Sequence, residues 1–172
     1  MIRPATNADL PAVARLAAKL VAQHHAFDPL RFFVPDRVEE GYAWWFDQEL
    51  RRPQVVLLVA EDGESIVGYV YARTEERDWN ALLDACGAIH DIYVEETERR
   101  RGVATQLARA ALEALERKGA PRVVLHTAAP NVGAHRFFEK LGFRRTMIEM
   151  TREAGPDPSG RGQADAQGSV AR

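Results

Sequence analysis

The chain has 172 residues, of which 46% are hydrophobic, enough for one domain with a sizeable core. A formal net charge of -2 excludes a protein whose main work is gripping a phosphate backbone, which would show as a strong basic excess. One cysteine, Cys86, excludes an intramolecular disulfide. The opening "MIRPATNADL" lacks the apolar centre of a signal peptide, and the longest apolar run, "VVLLVA" at 55 to 60, is too short to cross a bilayer. The expectation is an intracellular, cytoplasmic protein with no membrane and no nucleic-acid partner.

Taken in order, Leu10, Val13, Leu16, Leu20 and Val21 fall on one helical face between Thr6 and about Gln23, with Thr6 and Asp9 spaced as a capping box. A loop with His24, His25, Phe27, Phe32 and Phe33 follows. Asp36 and Glu39 then have capping-box spacing ahead of a second helix that runs to about Arg51. "VVLLVAEDGESIVGYVYART" reads as a hairpin around Asp62-Gly63. Residues 88 to 94, "AIHDIYV", form a β-rich run, and an amphipathic helix from Gly102 buries Val103, Leu107, Ala111, Leu112 and Leu115 before Gly119 stops it. Residues 122 to 128 predict a strand, 131 to 141 a helix stopped by Gly142, and 143 to 150 a last strand. A domain over 1–152 and a disordered tail over 153–172 complete the reading, since the tail has almost nothing to bury.

A hairpin followed by strand, helix, strand, helix and strand predicts a mixed sheet with helices on its faces. The parallel pair is 88 to 94 with 122 to 128, joined by a right-handed crossover whose helix starts at the carboxyl end of a strand, where open α/β sheets bind ligands. That start reads "ERRRGVATQL". A helix N-terminus leaves backbone N–H groups without partners, Gly102 removes the Cβ that would hold a ligand off, and Arg99, Arg100 and Arg101 add forked positive donors. Phosphate fits such a place; a plain loop is the alternative.

"DIYVEETERRRGVATQL", "RVVLHTAAPNVGAHRFFEKLGF" and "IRPATNADL" together resemble the GNAT superfamily of acyl-CoA-dependent N-acetyltransferases, closely over residues 88 to 143. The resemblance implies a GNAT-like α/β fold: a central, mostly antiparallel sheet with one splayed parallel pair, and helices on both faces. It implies acetyl-CoA as cosubstrate, without a metal. The pyrophosphate would lie on the backbone of Arg99, Arg100, Arg101, Gly102, Val103, Ala104 and Thr105. Ile92 and Val94 would offer backbone groups to the pantetheine arm, Asn131 would lie beside that arm, and Phe138 would pack near the thioester. The adjacent Phe137 reads as core. Many members of the family carry a tyrosine at the Phe138 position as acid to the leaving thiolate, so this chain departs from the pattern.

Amide formation needs a neutral amine, whereas a free alkylamine is protonated at pH 7, so a general base is required. His90 and Asp91 are the base candidates, with Glu75, Glu76 and Glu149 as alternatives. Strand alternation places His90 and Asp91 on opposite faces, so the two are not expected to serve together. The Val94 N–H is the candidate oxyanion donor. Tyr93, Tyr71, Tyr69, His135 or a water could supply the missing acid. His24 and His25 match no metal pattern, and Cys86 has no base at a fixed spacing. The acceptor pocket is expected from residues 24 to 35 and 74 to 86, whose aromatic and acidic content suits a cationic amine. The resulting expectation is direct acetyl transfer to a primary amine of a small molecule or protein, with a homodimer as the expected assembly. The alternative is a non-catalytic acyl-CoA sensor.

Overall fold

A computed structural model describes residues 1–155. Five strands form one sheet in chain order: β1 (Ile2–Pro4), β2 (Val55–Asp62), β3 (Ser65–Glu75), β4 (Cys86–Val94) and β5 (Val123–Leu125). The first three pairings are antiparallel, and β4 and β5 run parallel. The mixed sheet with a single parallel pair is the predicted architecture. The short β1 is an addition to it, held by Arg3, which donates to both Asp9 and Glu61.

Four helices cover the sheet: α1 (Leu10–Phe27), α2 (Val38–Glu49), α3 (Val103–Arg117) and α4 (Val132–Lys140). One core lies between the sheet and α1 and α2, where Val13, Leu16 and Phe46 meet Leu57, Val59, Tyr69, Tyr71 and Tyr93. The other joins Val56, Val70, Ala72, Ile89 and Val94 to Leu107, Ala111 and Leu115 of α3. Successive residues of β3 thus feed opposite cores, as the period of two in a strand requires. Gly87 of β4 lets α3 approach, because a Cβ there would sit 2.9 Å from Leu115 Cδ1.

Several element boundaries differ from the sequence reading. The Thr6–Asp9 box forms, with the Thr6 N–H and hydroxyl both donating to Asp9, but it caps a short 3-10 turn over Asn7–Asp9 ahead of α1. The helix α1 continues to Phe27, so His24 and His25 lie on its last turn instead of in a loop. The predicted Asp36 cap does not form. Arg37 occupies the N-cap position of α2 in the left-handed region (φ 54°). Residues 143–150 form no strand: Met147, Ile148 and Met150 are exposed, and β5, the outer strand on that side, pairs over only three residues. A strand exists only by sharing a ladder, and so short an edge gives little to share. The tail expected from residue 153 falls almost wholly outside the described residues.

Candidate active site

Everything that positions the candidate site follows from one irregularity in β4. Tyr71 of β3 pairs with Asp91, whereas Ala72 pairs with Ile89, so His90 is an extra residue with no partner across the ladder. This is a β-bulge, which bends the strand and shifts its alternation by one. Ile89 and Ile92 both face the α3 core, which leaves His90 and Asp91 together on the opposite face. The His90 ring stacks on Tyr71 at 5.3 Å, and Tyr69 donates to Asp91 at 3.1 Å; both tyrosines belong to the α1/α2 core. The expectation that alternation separates His90 from Asp91 is therefore corrected, because the bulge supplies the residue that alternation lacked.

The same slip aims the backbone. Glu95 donates to Val67, so in the antiparallel ladder the Tyr69/Tyr93 and Tyr71/Asp91 pairs carry the β3 hydrogen bonds. The peptide groups of Ile92 and Val94 accordingly point away from β3. On that side β5 pairs only as far as Ile89 with Leu125, so the second half of β4 has no strand neighbour there among the described residues. The Val94 carbonyl accepts from Arg99 Nε at 3.2 Å, consistent with this outward direction. The predicted splay is thus a three-residue pairing followed by an open edge.

At the carboxyl end of β4, Glu96–Glu98 form a 3-10 turn, and α3 begins at Val103. Arg100 (φ 67°) and Gly102 (φ 83°) both lie in the left-handed region, which turns the chain sharply into the helix. The first hydrogen bond of α3 runs from the Gln106 N–H to the Gly102 carbonyl, so the amides of Val103, Ala104 and Thr105 have no acceptor within the helix. Beyond Gly102 there is open space: a Cβ there would meet only Gln106 Nε2, at 4.0 Å. Free amides, a positive helix end and room for an anion coincide here. The three arginines are not equivalent. Arg99 folds over Tyr93 at 5.5 Å, Arg101 pairs with Glu98 and Asp62, and Arg100 has no ion pair among the described residues.

Around Asp91 the setting is aromatic and partly buried. Burial pushes its carboxyl upward, opposed by the Tyr69 hydrogen bond and by the nearby His90 and His24. Burial, with the Asp91 charge adding to it, raises Tyr69 and Tyr42 in the same direction. His24 gives its Nδ1 to the Leu20 carbonyl and packs on Phe32, while His25 Nδ1 meets the Phe32 carbonyl, so both are tied to backbone rather than free to form a ligand pair. His90 Nε2 meets Glu75 Oε1 at 2.9 Å. Glu149, another candidate base, is bound to Arg31.

Two groups here escaped the sequence reading. Glu49 has only 3% of its side chain exposed, accepts from Tyr71 at 2.6 Å, and pairs with Arg52 at 3.0 Å and Arg73 at 3.4 Å. Its signal was present: Tyr42, Phe46 and Glu49 share one stripe of α2, so an acid stood at a core position. Tyr42 stands on that stripe too, packed against Trp45 and Phe46. On α4, Asn131 Oδ1 accepts from the Ala134 N–H and caps the helix. Phe138 is buried against Phe137 and Phe143, and it is Phe137 that stays partly exposed, the reverse of the expected ranking. Cys86 is buried, and burial raises its thiol, which disfavours a nucleophile.

The family model described as "Acetyltransferase (GNAT) family" matches residues 20–143. The chain belongs to the GNAT family. Among curated relatives, N-alpha-acetyltransferase 30 of Schizosaccharomyces pombe is 32% identical over 87 residues, covering 51% of this chain and 56% of that protein. The chain thus spans about half the length of that relative. Among solved GNAT-like structures, the BH1408 protein of Bacillus halodurans superposes with a TM-score of 0.78 at 22% identity, covering 89% of this chain and 99% of the other. Aminoglycoside N-acetyltransferase AAC(6')-Iy in complex with CoA gives 0.72 at 20% identity, covering 90% and 95%. At these identities the structural likeness concerns the GNAT fold. No helix among the described residues is long and apolar enough to cross a membrane.

Proposed function

We propose that this GNAT protein transfers an acetyl group from acetyl-CoA to a primary amine of a small molecule or protein, by direct attack within a ternary complex. The observation that carries the reading is the junction of β4 and α3, where amides at Val103 to Thr105 and a strand edge both lack backbone partners among the described residues. The pyrophosphate is assigned to the backbone of residues 99 to 105, with Arg100, which has no ion pair among the described residues, adding its charge. The pantetheine arm is assigned to the outward peptide groups of Ile92 and Val94, as an added strand. Asn131 and Phe138 flank the arm.

The amine enters from the α1/α2 side. Asp91, set among Tyr42, Tyr69 and Tyr93, attracts the ammonium by charge and by cation–π contact. His90, beside it and more exposed, takes the proton, imidazole being the side chain most often used as a general base. The amine lone pair then attacks the thioester carbonyl carbon, and the Val94 N–H receives the developing oxyanion. The intermediate collapses by breaking C–S. A thiol has a pKa near 8.5, so the departing thiolate needs little help, and Tyr93 remains the candidate donor in place of the tyrosine absent at Phe138.

Thiol release from acetyl-CoA, followed with a panel of alkylamines, aminoglycosides and peptide N-termini against a no-acceptor control, tests the reading. Acceptor-dependent release supports it. Phe138 favours a second reading, a non-catalytic acyl-CoA sensor, and calorimetric CoA binding without release across the panel would establish that instead. Absence of any heat with CoA would remove both.

A further inference from the structure

His90 is held from two directions, and the holding residues lead back to a carboxylate outside the ligand-facing surface. Its Nε2 meets Glu75 Oε1 at 2.9 Å, and its ring lies on Tyr71, tilted by 30°. No hydrogen bond reaches its Nδ1 among the described residues. Glu75 is in turn paired with Arg73 Nε at 3.2 Å. Tyr71 and Arg73 converge on one acceptor, Glu49 Oε2, at 2.6 and 3.4 Å. Glu49 is fixed by its own burial and by Arg52. The floor of the imidazole and the clamp on its carboxylate partner therefore share a single anchor on the last turn of α2.

We infer that Glu75 is a positioning residue for His90: it accepts the Nε2 proton and so leaves the Nδ1 lone pair as the proton acceptor in amine deprotonation, with Glu49 holding both Tyr71 and Arg73 in register beneath the pair. Which ring nitrogen carries the proton is set by the partner of the other, so a carboxylate at Nε2 decides the tautomer. When Nδ1 takes the proton of the attacking amine, the ring becomes cationic, and the Glu75 carboxylate stabilises that charge where it forms. The catalytic consequence rests on the reading of His90 as the base, whereas the contact itself does not.

Long-range proton–nitrogen correlation spectra of the free protein, at mildly alkaline pH where an ordinary imidazole is neutral, report the tautomer directly. In the unaltered chain, His90 should show a protonated Nε2 and a bare Nδ1. Glu75→Ala should move both signals toward the averaged pattern of an unstructured peptide, and Glu75→Gln, which keeps an acceptor oxygen, should restore most of the difference. In thiol-release assays with a panel amine that is turned over, Glu75→Ala should lower kcat about tenfold with KM for the amine changed less than about twofold. A protonated Nδ1 in the unaltered chain, or His90 signals indifferent to Glu75→Ala, overturns the inference. Thiol release untouched by His90→Gln instead overturns the base assignment, and with it the catalytic weight of Glu75.

Discussion

Asp91 and His90 are neighbours in sequence but sit in different electrostatic settings. Burial favours the protonated form of Asp91, so the folded state holds that proton more tightly than the unfolded chain does. The stability associated with Asp91 is therefore fully present below the ordinary carboxylate range and is lost as pH rises through the raised folded value. Asp91→Asn is expected to melt higher than the unaltered chain near neutral pH, with the gap closing in acid, while KM for the amine rises about tenfold through loss of the attracting charge. Thermal scans at several pH values and steady-state kinetics check the two halves. Loss of Glu49 is expected to destabilise the fold. Its removal strands the buried Tyr71 hydroxyl and leaves Arg73 short of a partner, so Glu49→Ala should cost about 3 kcal/mol in urea denaturation.

At the scale of elements, the strand β4 and the helix α3 form a unit whose join is strained in a useful way. Gly102 sits at φ 83°, where an L side chain is disfavoured by about 1–2 kcal/mol, and its missing Cβ leaves open the space above the helix amides. Gly102→Val should retain the fold at slightly lower stability and weaken CoA binding by well over tenfold in calorimetry. This junction was legible in the sequence, because a β-rich run, glycine and amphipathic periodicity are local signals. The helices α1 and α3 and the 55–75 hairpin were legible for the same reason. The bulge at His90 was not, since nothing in "AIHDIYV" marks an extra residue, and only the cores on the two faces reveal the count. The strand expected over 143–150 failed for a related reason: a strand needs a neighbour, which local composition does not reveal.

Across the whole molecule, the N-terminus is tied to the sheet and to α1 by one charged cluster. Arg3 binds Asp9 at 2.8 Å and Glu61 at 3.0 Å, and these contacts hold Asp9 well below the usual carboxylate range. A depressed folded value means that this stability is present above the ordinary carboxylate pKa and is lost as pH falls through the folded one. Asp9→Asn should cost about 1–2 kcal/mol at neutral pH, through the turn cap and the ion pair together, and the cost should shrink steadily in acid titration. Acid thus acts on Asp9 and Asp91 with opposite sign, weakening the N-terminal staple while favouring the buried Asp91 carboxyl.

Because of the single surplus residue at His90, β4 is two strands in different phase. Up to Ile89, odd-numbered peptides such as Gly87 face β5; from Asp91 onward, that orientation passes to the even ones. A side chain grafted beside Asp91 on the α1/α2 face must therefore be counted backward from Val94, not forward from Cys86. Deleting His90 would leave both halves of the strand on their present faces and remove only the bend and the imidazole, because Ile89 and Asp91 already pair with the consecutive residues Ala72 and Tyr71.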